Sequence, residues 1–160
     1  MKINQKIKQR REELGISIDE ITDQTGLDEE DFEDIETYAD ELITSTDLSE
    51  VRQLCEVLKF DLLELFDLPP NFPLENEEDA KTWLNCTLPR HQLIEQRRKE
   101  LGLSQKQLAE QVGFYTVAVR EMEKNPDFLE SWSMEHIIEL AETLKVPIEI
   151  LLNGKPRKVA

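Results

Sequence analysis

The chain repeats itself, and the repeat limits its possible folds more than any other feature. Displaced by 87 positions, residues 5–26 (QKIKQRREELGISIDEITDQTG) align with residues 92–113 (QLIEQRRKELGLSQKQLAEQVG), identical at 11 of 22 positions. Arg10, Arg11, Gly15, Ser17 and Gly26 thereby meet Arg97, Arg98, Gly102, Ser104 and Gly113. Glu36 and Glu123 coincide at the same offset; one residue then drops out, and Val51, Leu54, Cys55 and Leu58 match Ile137, Leu140, Ala141 and Leu144. Self-similarity at a fixed period means that one supersecondary unit is used twice. The 160 residues are therefore expected to form two small domains.

Each copy reads as five short helices. The first keeps Ile7 and Leu14, or Ile94 and Leu101, on one face and stops at Gly15 or Gly102, as a left-handed C-terminal glycine would have it. The second opens on a capping box, Ser17 with Glu20 or Ser104 with Gln107, and ends at Gly26 or Gly113. The third buries Phe32 and Ile35, or Val119 and Met122, at i, i+3 spacing. The fourth carries the i, i+3, i+4, i+7 stripe already aligned, and the fifth adds Leu62, Leu65 and Phe66, or Ile148, Leu151 and Leu152. No stretch alternates with period two, so the predicted class is all-α. The predicted domains are 1–68 and 90–154, with a linker over 69–89 bounded by prolines and a basic tail over 155–160. Within the linker, Ala80, Trp83 and Leu84 have helical spacing behind Glu77, Glu78 and Asp79, which predicts a short helix that packs its Trp.

Two helices joined by a tight glycine turn, with a third to cover them, follow the helix-turn-helix plan. The string RRKELGLSQKQLAEQVG, followed by a Glu ten residues later, resembles the phage-repressor and Cro-like (XRE-type) helix-turn-helix domains. RREELGISIDEITDQTG resembles a divergent second copy. The likeness covers about 3–68 and 90–154 and implies two tandem lambda-repressor-like domains. It also implies roles. A late Arg of the first helix braces a Glu of the third, here Arg11 with Glu36 and Arg98 with Glu123, and nucleic acid meets the start of the second helix and the exposed face of the third. In the second copy those contact positions hold Gln105, Tyr115, Thr116, Val117, Arg120 and Glu121, with Lys106, Lys124 and the tail Lys155, Arg157 and Lys158 available to phosphates.

That set is chemically competent. Gln can bond a phosphate or an adenine edge, Arg a guanine or a phosphate, Thr either, and Val a thymine methyl. The first copy has Ile18 in place of Gln105, and Asp28, Glu29, Glu30, Glu33 and Asp34 across the reading face. Carboxylates there repel DNA, whose binding gains from cations that displace condensed counterions. A milder account is that acids in a first helical turn complement the macrodipole, with Asp28 as N-cap, but Glu33 and Asp34 lie beyond that turn. The charge is divided accordingly. Of a net −16, residues 1–70 carry −13, residues 71–89 carry −3, and residues 90–160 balance 11 bases against 11 acids.

The expected function is a DNA-binding transcriptional regulator that reads double-stranded DNA through residues 90–154. One reading helix per chain would favour a homodimer on a palindrome. The acidic helix 28–36 is then expected to face a basic protein or a second copy. The alternative is a protein-binding inhibitor, an antitoxin or immunity protein, that turns the acidic surface on a basic partner. No apolar run reaches the ~18 residues of a membrane span and the N-terminus lacks a secretory signal, so the expected location is the cytoplasm. Cys55 and Cys86 read as free thiols. His136 with Glu139 reads as solvated helix surface, since two residues complete no metal site. No glycine-rich phosphate loop, activated nucleophile or ligand cluster is visible, so neither catalysis nor a cofactor is expected.

Overall fold

A computed structural model describes residues 1–153; the tail at 155–160, with Lys155, Arg157 and Lys158, lies outside the described residues. Among the described residues the regular elements are helical and none is a strand. The chain divides into two compact units, Met1–Leu68 and a second that begins at Pro69.

The first unit runs α1 (Ile3–Glu13), α2 (Ile18–Thr25), α3 (Glu29–Thr37), α4 (Glu41–Ser45), α5 (Leu48–Leu58) and α6 (Leu62–Leu65). The longest of these has 11 residues, below the ~12–15 at which an isolated helix becomes even marginal in water. Packing must therefore hold them. On α5, Leu48, Val51, Leu54 and Leu58 are fully buried, and Ile7, Ile21, Phe32 and Ile35 close the core from α1, α2 and α3. Each such side chain is worth roughly 1.5–3 kcal/mol of burial. Local chemistry sets the ends. Ser17 Oγ accepts from the Glu20 N–H at 3.1 Å while the Glu20 carboxylate accepts from the Ser17 N–H at 2.8 Å, and Asp47 with Glu50 caps α5 in the same way. Arg10 donates to the carbonyls of Leu58 and Lys59 at 3.4 Å and lies over the Phe60 ring, a cation at the negative end of α5.

The second unit runs α7 (Glu77–Lys81), α8 (Arg90–Glu100), α9 (Gln105–Val112), α10 (Thr116–Lys124), a 3-10 turn (Phe128–Ser131), α11 (Met134–Leu144) and α12 (Ile148–Asn153). The lengths of α8, α9, α10 and α11, at 11, 8, 9 and 11 residues, equal those of α1, α2, α3 and α5. The core is again one helix face, with Met134, Ile137, Leu140, Ala141 and Leu144 of α11 fully buried. Arg97 donates to the Leu144 carbonyl at 2.8 Å in the role Arg10 has at Leu58. Arg90 has no counterpart in the first unit. It donates to the carbonyls of Pro126 and Leu151 at 2.6 and 3.0 Å and pairs with Glu130 at 3.1 Å, anchoring the start of α8.

Three expectations need correction. In α6 the buried residues are Leu63 and Leu65, while Leu62 and Phe66 are half-buried; a single turn capped by Asp61 has no sustained apolar face to align. In the linker, Ala80 is buried and Trp83 half-buried, but Leu84 is 42% exposed. There α7 tightens into i→i−3 bonds, Trp83 to Ala80 and Leu84 to Lys81. At 3.0 residues per turn Trp83 eclipses Ala80, and Leu84 points about 120° away. The Trp83 ring lies under Arg97, 5.6 Å from its guanidinium. His136 is not bare helix surface either. Its ring meets Phe114 edge-on at 4.6 Å, and Phe114 stacks on the buried Trp132 at 4.2 Å, a cluster that residue spacing could not disclose.

Candidate nucleic-acid interface

α9 and α10 are joined through Gly113, which ends α9 in the left-handed region at φ 78, and Tyr115, which occupies the N-cap position of α10. A side chain at Gly113 would be disfavoured by ~1–2 kcal/mol in that conformation, so the glycine makes the turn inexpensive. The two helices close on Leu108, Ala109 and Val112 from α9 and Val119 and Met122 from α10. With positions 119, 122 and 123 inward, the helical period turns positions 117, 120, 121 and 124 outward. Val117, Arg120, Glu121 and Lys124 are all exposed, as is Lys106, while Thr116 and Gln105 are half-buried. Tyr115 is 83% and Val117 61% exposed.

An ion pair holds this arrangement from behind. Arg98 donates to both carboxylate oxygens of Glu123 through Nε and Nη2, with side chains 9% and 3% exposed. Its Nη1 donates to the Leu103 carbonyl at 2.8 Å. Gln105 Nε2 donates to Glu123 Oε2 at 2.6 Å. Gln105 thus gives one amide hydrogen to the brace and keeps its carbonyl oxygen and second hydrogen for another partner. The first unit has the plainer version: Arg11 donates to Glu36 at 2.6 and 3.1 Å and to the Ile16 carbonyl at 3.0 Å. The Glu36 carboxylate raises the Arg11 pKa above its ordinary value. Ile18, where the second unit has Gln105, adds no donor.

The charges on the two third helices are opposed. In the second unit Arg90, Arg97, Arg98 and Lys99 are held in ion pairs. Lys106 on α9 and Arg120 and Lys124 on α10 have no ion pair among the described residues. Tyr115 makes no side-chain cap, so the positive end of the α10 dipole is open. On α3, Phe32 and Ile35 point inward. Asp28, Glu29, Glu30 and Glu33 are exposed and Asp34 is half-buried. Asp28 has N-cap backbone geometry, φ −70 and ψ 150, yet its side chain accepts no hydrogen bond from the helix. The side-chain cap that the milder account assigns to it is therefore absent. Asn4 ties α1 to the other end of α3 by donating to the carbonyls of Glu36 and Thr37 at 3.3 and 3.1 Å, a contact with no sequence signature.

Two helices closed on a left-handed glycine, with the second exposing one face, constitute a helix-turn-helix unit. A family model described as Helix-turn-helix matches residues 94–151, from within α8 to α12. The match supports a DNA-binding regulator of the XRE type. No curated protein and no solved structure matches the chain. Among the described residues no group of three or more His, Cys, Asp or Glu side chains is placed to hold a metal ion, and no helix is long and apolar enough to cross a membrane.

Proposed function

We propose that the chain is a cytoplasmic transcriptional regulator whose second module, residues 90–154, contacts duplex DNA through Gln105, Tyr115, Thr116, Val117, Arg120 and Lys124. Residues 1–68 are a divergent copy of the same module that faces protein, either a basic partner or a second chain. The contrast between the two third helices carries this reading. Lys106 on α9 and Arg120 and Lys124 on α10 are exposed and unpaired among the described residues, whereas five carboxylates lie at and behind the start of α3. A carboxylate ~5 Å from a phosphate costs roughly 0.8 kcal/mol even at water's dielectric constant, so five cost about 4 kcal/mol. Three phosphate contacts predict a log–log salt slope of about −2.7 for one module, and about twice that for a dimer on a palindrome. Anisotropy titrations of the full chain against labelled duplex pools at rising salt test the reading. Absence of binding at ~50 mM salt, where counterion release is most favourable, removes it.

A second reading rests on one observation: the Asp28 side chain is not engaged in capping α3 and is exposed, as Glu29, Glu30 and Glu33 are. Here the chain is an inhibitor of the antitoxin or immunity type, and the acidic face docks a basic protein. The triple substitution E29Q/E30Q/E33Q separates the two. It abolishes capture of a basic partner under the inhibitor reading and leaves DNA affinity equal or higher under the regulator reading.

A further inference from the structure

The repeat gives both units a cleft on the same face of their first full helix, and the two clefts are built differently. In the first unit Met1, Lys6, Gln9, Arg10 and Glu13 line about 300 Å³; in the second their counterparts Leu88, Leu93, Gln96, Arg97 and Glu100 line about 450 Å³. The polar side is kept. Gln96 Nε2 and Arg97 Nη1 each donate to Glu100 at 3.0 Å, as Gln9 donates to Glu13 at 2.9 Å with Arg10 3.7 Å from the same carboxylate. The other side is changed. Lys6, ion-paired to Asp67 at 2.5 Å, gives way to buried Leu93. Phe60, the ring beneath Arg10, gives way to Val146, which is fully buried and carries no ring. The linker supplies the ring instead, as half-buried Trp83 beside Arg97. We propose that the second cleft binds a small, uncharged, planar aromatic molecule whose edge offers one acceptor to Arg97 and one donor to Glu100.

Size, charge and unspent hydrogen bonds each narrow the ligand. The cleft lies within the roughly 300–1,000 Å³ of small-molecule sites, and like them it sets a few polar groups among apolar walls, here Trp83, Leu88 and Leu93. Its lining carries one cation, Arg97, and one carboxylate, Glu100, already paired with each other. A charged ligand would meet its like charge beside its opposite, so a neutral one fits. The Trp83 ring and the Arg97 guanidinium are both flat groups on which an aromatic ring can stack. Arg97 spends Nε on the Leu144 carbonyl and Nη1 on Glu100, which leaves Nη2 without a partner among the described residues. The hydrogen bonds from Gln96 and Arg97 hold the Glu100 carboxyl below its usual range. Each oxygen of that carboxylate accepts one bond and retains a lone pair for another. A ring that carries an N–H next to a C=O, a lactam edge, answers both. The site takes nothing from α9 or α10 and does not depend on the DNA-binding reading.

The test adds carbostyril, a neutral two-ring lactam, to the isotope-labelled full chain and follows the indole N–H signals of Trp83 and Trp132 by NMR. The Trp83 signal should shift saturably with a Kd of about 1 mM or tighter, as suits a ligand of this size, while Trp132, buried away from the cleft, stays unmoved. N-methylcarbostyril lacks the donor and should bind at least about 10-fold more weakly, the factor a hydrogen bond to a charged group commands. E100A changes an exposed residue and should weaken carbostyril by about the same factor without altering the affinity for the N-methyl compound, an unmoved Trp132 signal showing that the variant is folded. A Trp83 signal that does not shift at about 5 mM carbostyril, well above the expected Kd, overturns the site. Equal affinity for the two compounds overturns the donor–acceptor edge assigned to Glu100 and Arg97. Either result leaves the DNA-binding reading standing, because no DNA enters the measurement.

Discussion

The Arg98–Glu123 brace gives the sharpest test of how the second unit is held. In E123Q the shape is kept and the charge is lost. Arg98, only 9% exposed at its side chain, is left as a buried guanidinium without a counter-ion, a change that costs about 3–5 kcal/mol when one member of a buried pair is removed. The Gln105 donor loses a charged acceptor, at the upper end of that range since such bonds are worth ~1.5–3 kcal/mol. Both tryptophans of the chain, Trp83 and Trp132, lie in this unit, so their fluorescence reports its unfolding. At about 4–8 °C per kcal/mol for a unit of this size, a loss of ~4 kcal/mol lowers its Tm by more than about 15 °C. E36Q in the first unit should cost about 1.5 kcal/mol less, because Ile18 supplies no third bond to that carboxylate. R98M/E123L should recover most of the loss, since replacing both charges with apolar side chains is commonly near neutral. A Tm drop under ~4 °C for E123Q, or a double variant no more stable than E123Q, would refute the uncompensated charge as the cause.

Four further outcomes are expected. Burial pushes the Cys55 thiol up to about 12 from 9.0, so at pH 8 a thiol reagent should modify half-exposed Cys86 and spare Cys55 until the chain unfolds. The same shift makes Cys55 a pH-dependent contributor: its share of stability is complete below about 9 and is lost as pH rises toward about 12, because the unfolded thiol ionises first. Wild type and C55A should therefore differ in the slope of stability against pH in that window, and parallel slopes would contradict the assignment. R120A/K124A should reduce the magnitude of the log–log salt slope of DNA binding by about 1.8 per module; an unchanged slope would place the phosphate contacts elsewhere. G113A should cost ~1–2 kcal/mol by thermal unfolding, from backbone strain alone, since a Cβ at Gly113 meets nothing within 4 Å. A neutral G113A would mean that the turn relaxes.

The sequence alone determined the helical class, the positions of the chain's punctuation and the polarity of the two third helices. These follow from short-range chemistry: a serine with a partner three residues on caps a helix, a left-handed turn favours a glycine, and an apolar stripe at period 3.6 must find a core. Phe32, Ile35, Val119 and Met122 are buried for that reason, and the acids between them on α3 could face only outward. Tertiary structure decided whatever depends on residues distant in the chain. Asn4 reaches the end of α3, Arg90 holds carbonyls at Pro126 and Leu151, and Phe114 joins Trp132 and His136. Periodicity encodes which face of an element turns inward, but not which neighbour meets it there. Gln105 and Asp28 make the same point at the candidate sites. One was expected on nucleic acid and also bonds the Glu123 brace; the other has a residue type and backbone position suited to capping α3, yet its side chain does not cap it. In both, the side chain's role is set by which donors and acceptors packing brings within about 3 Å.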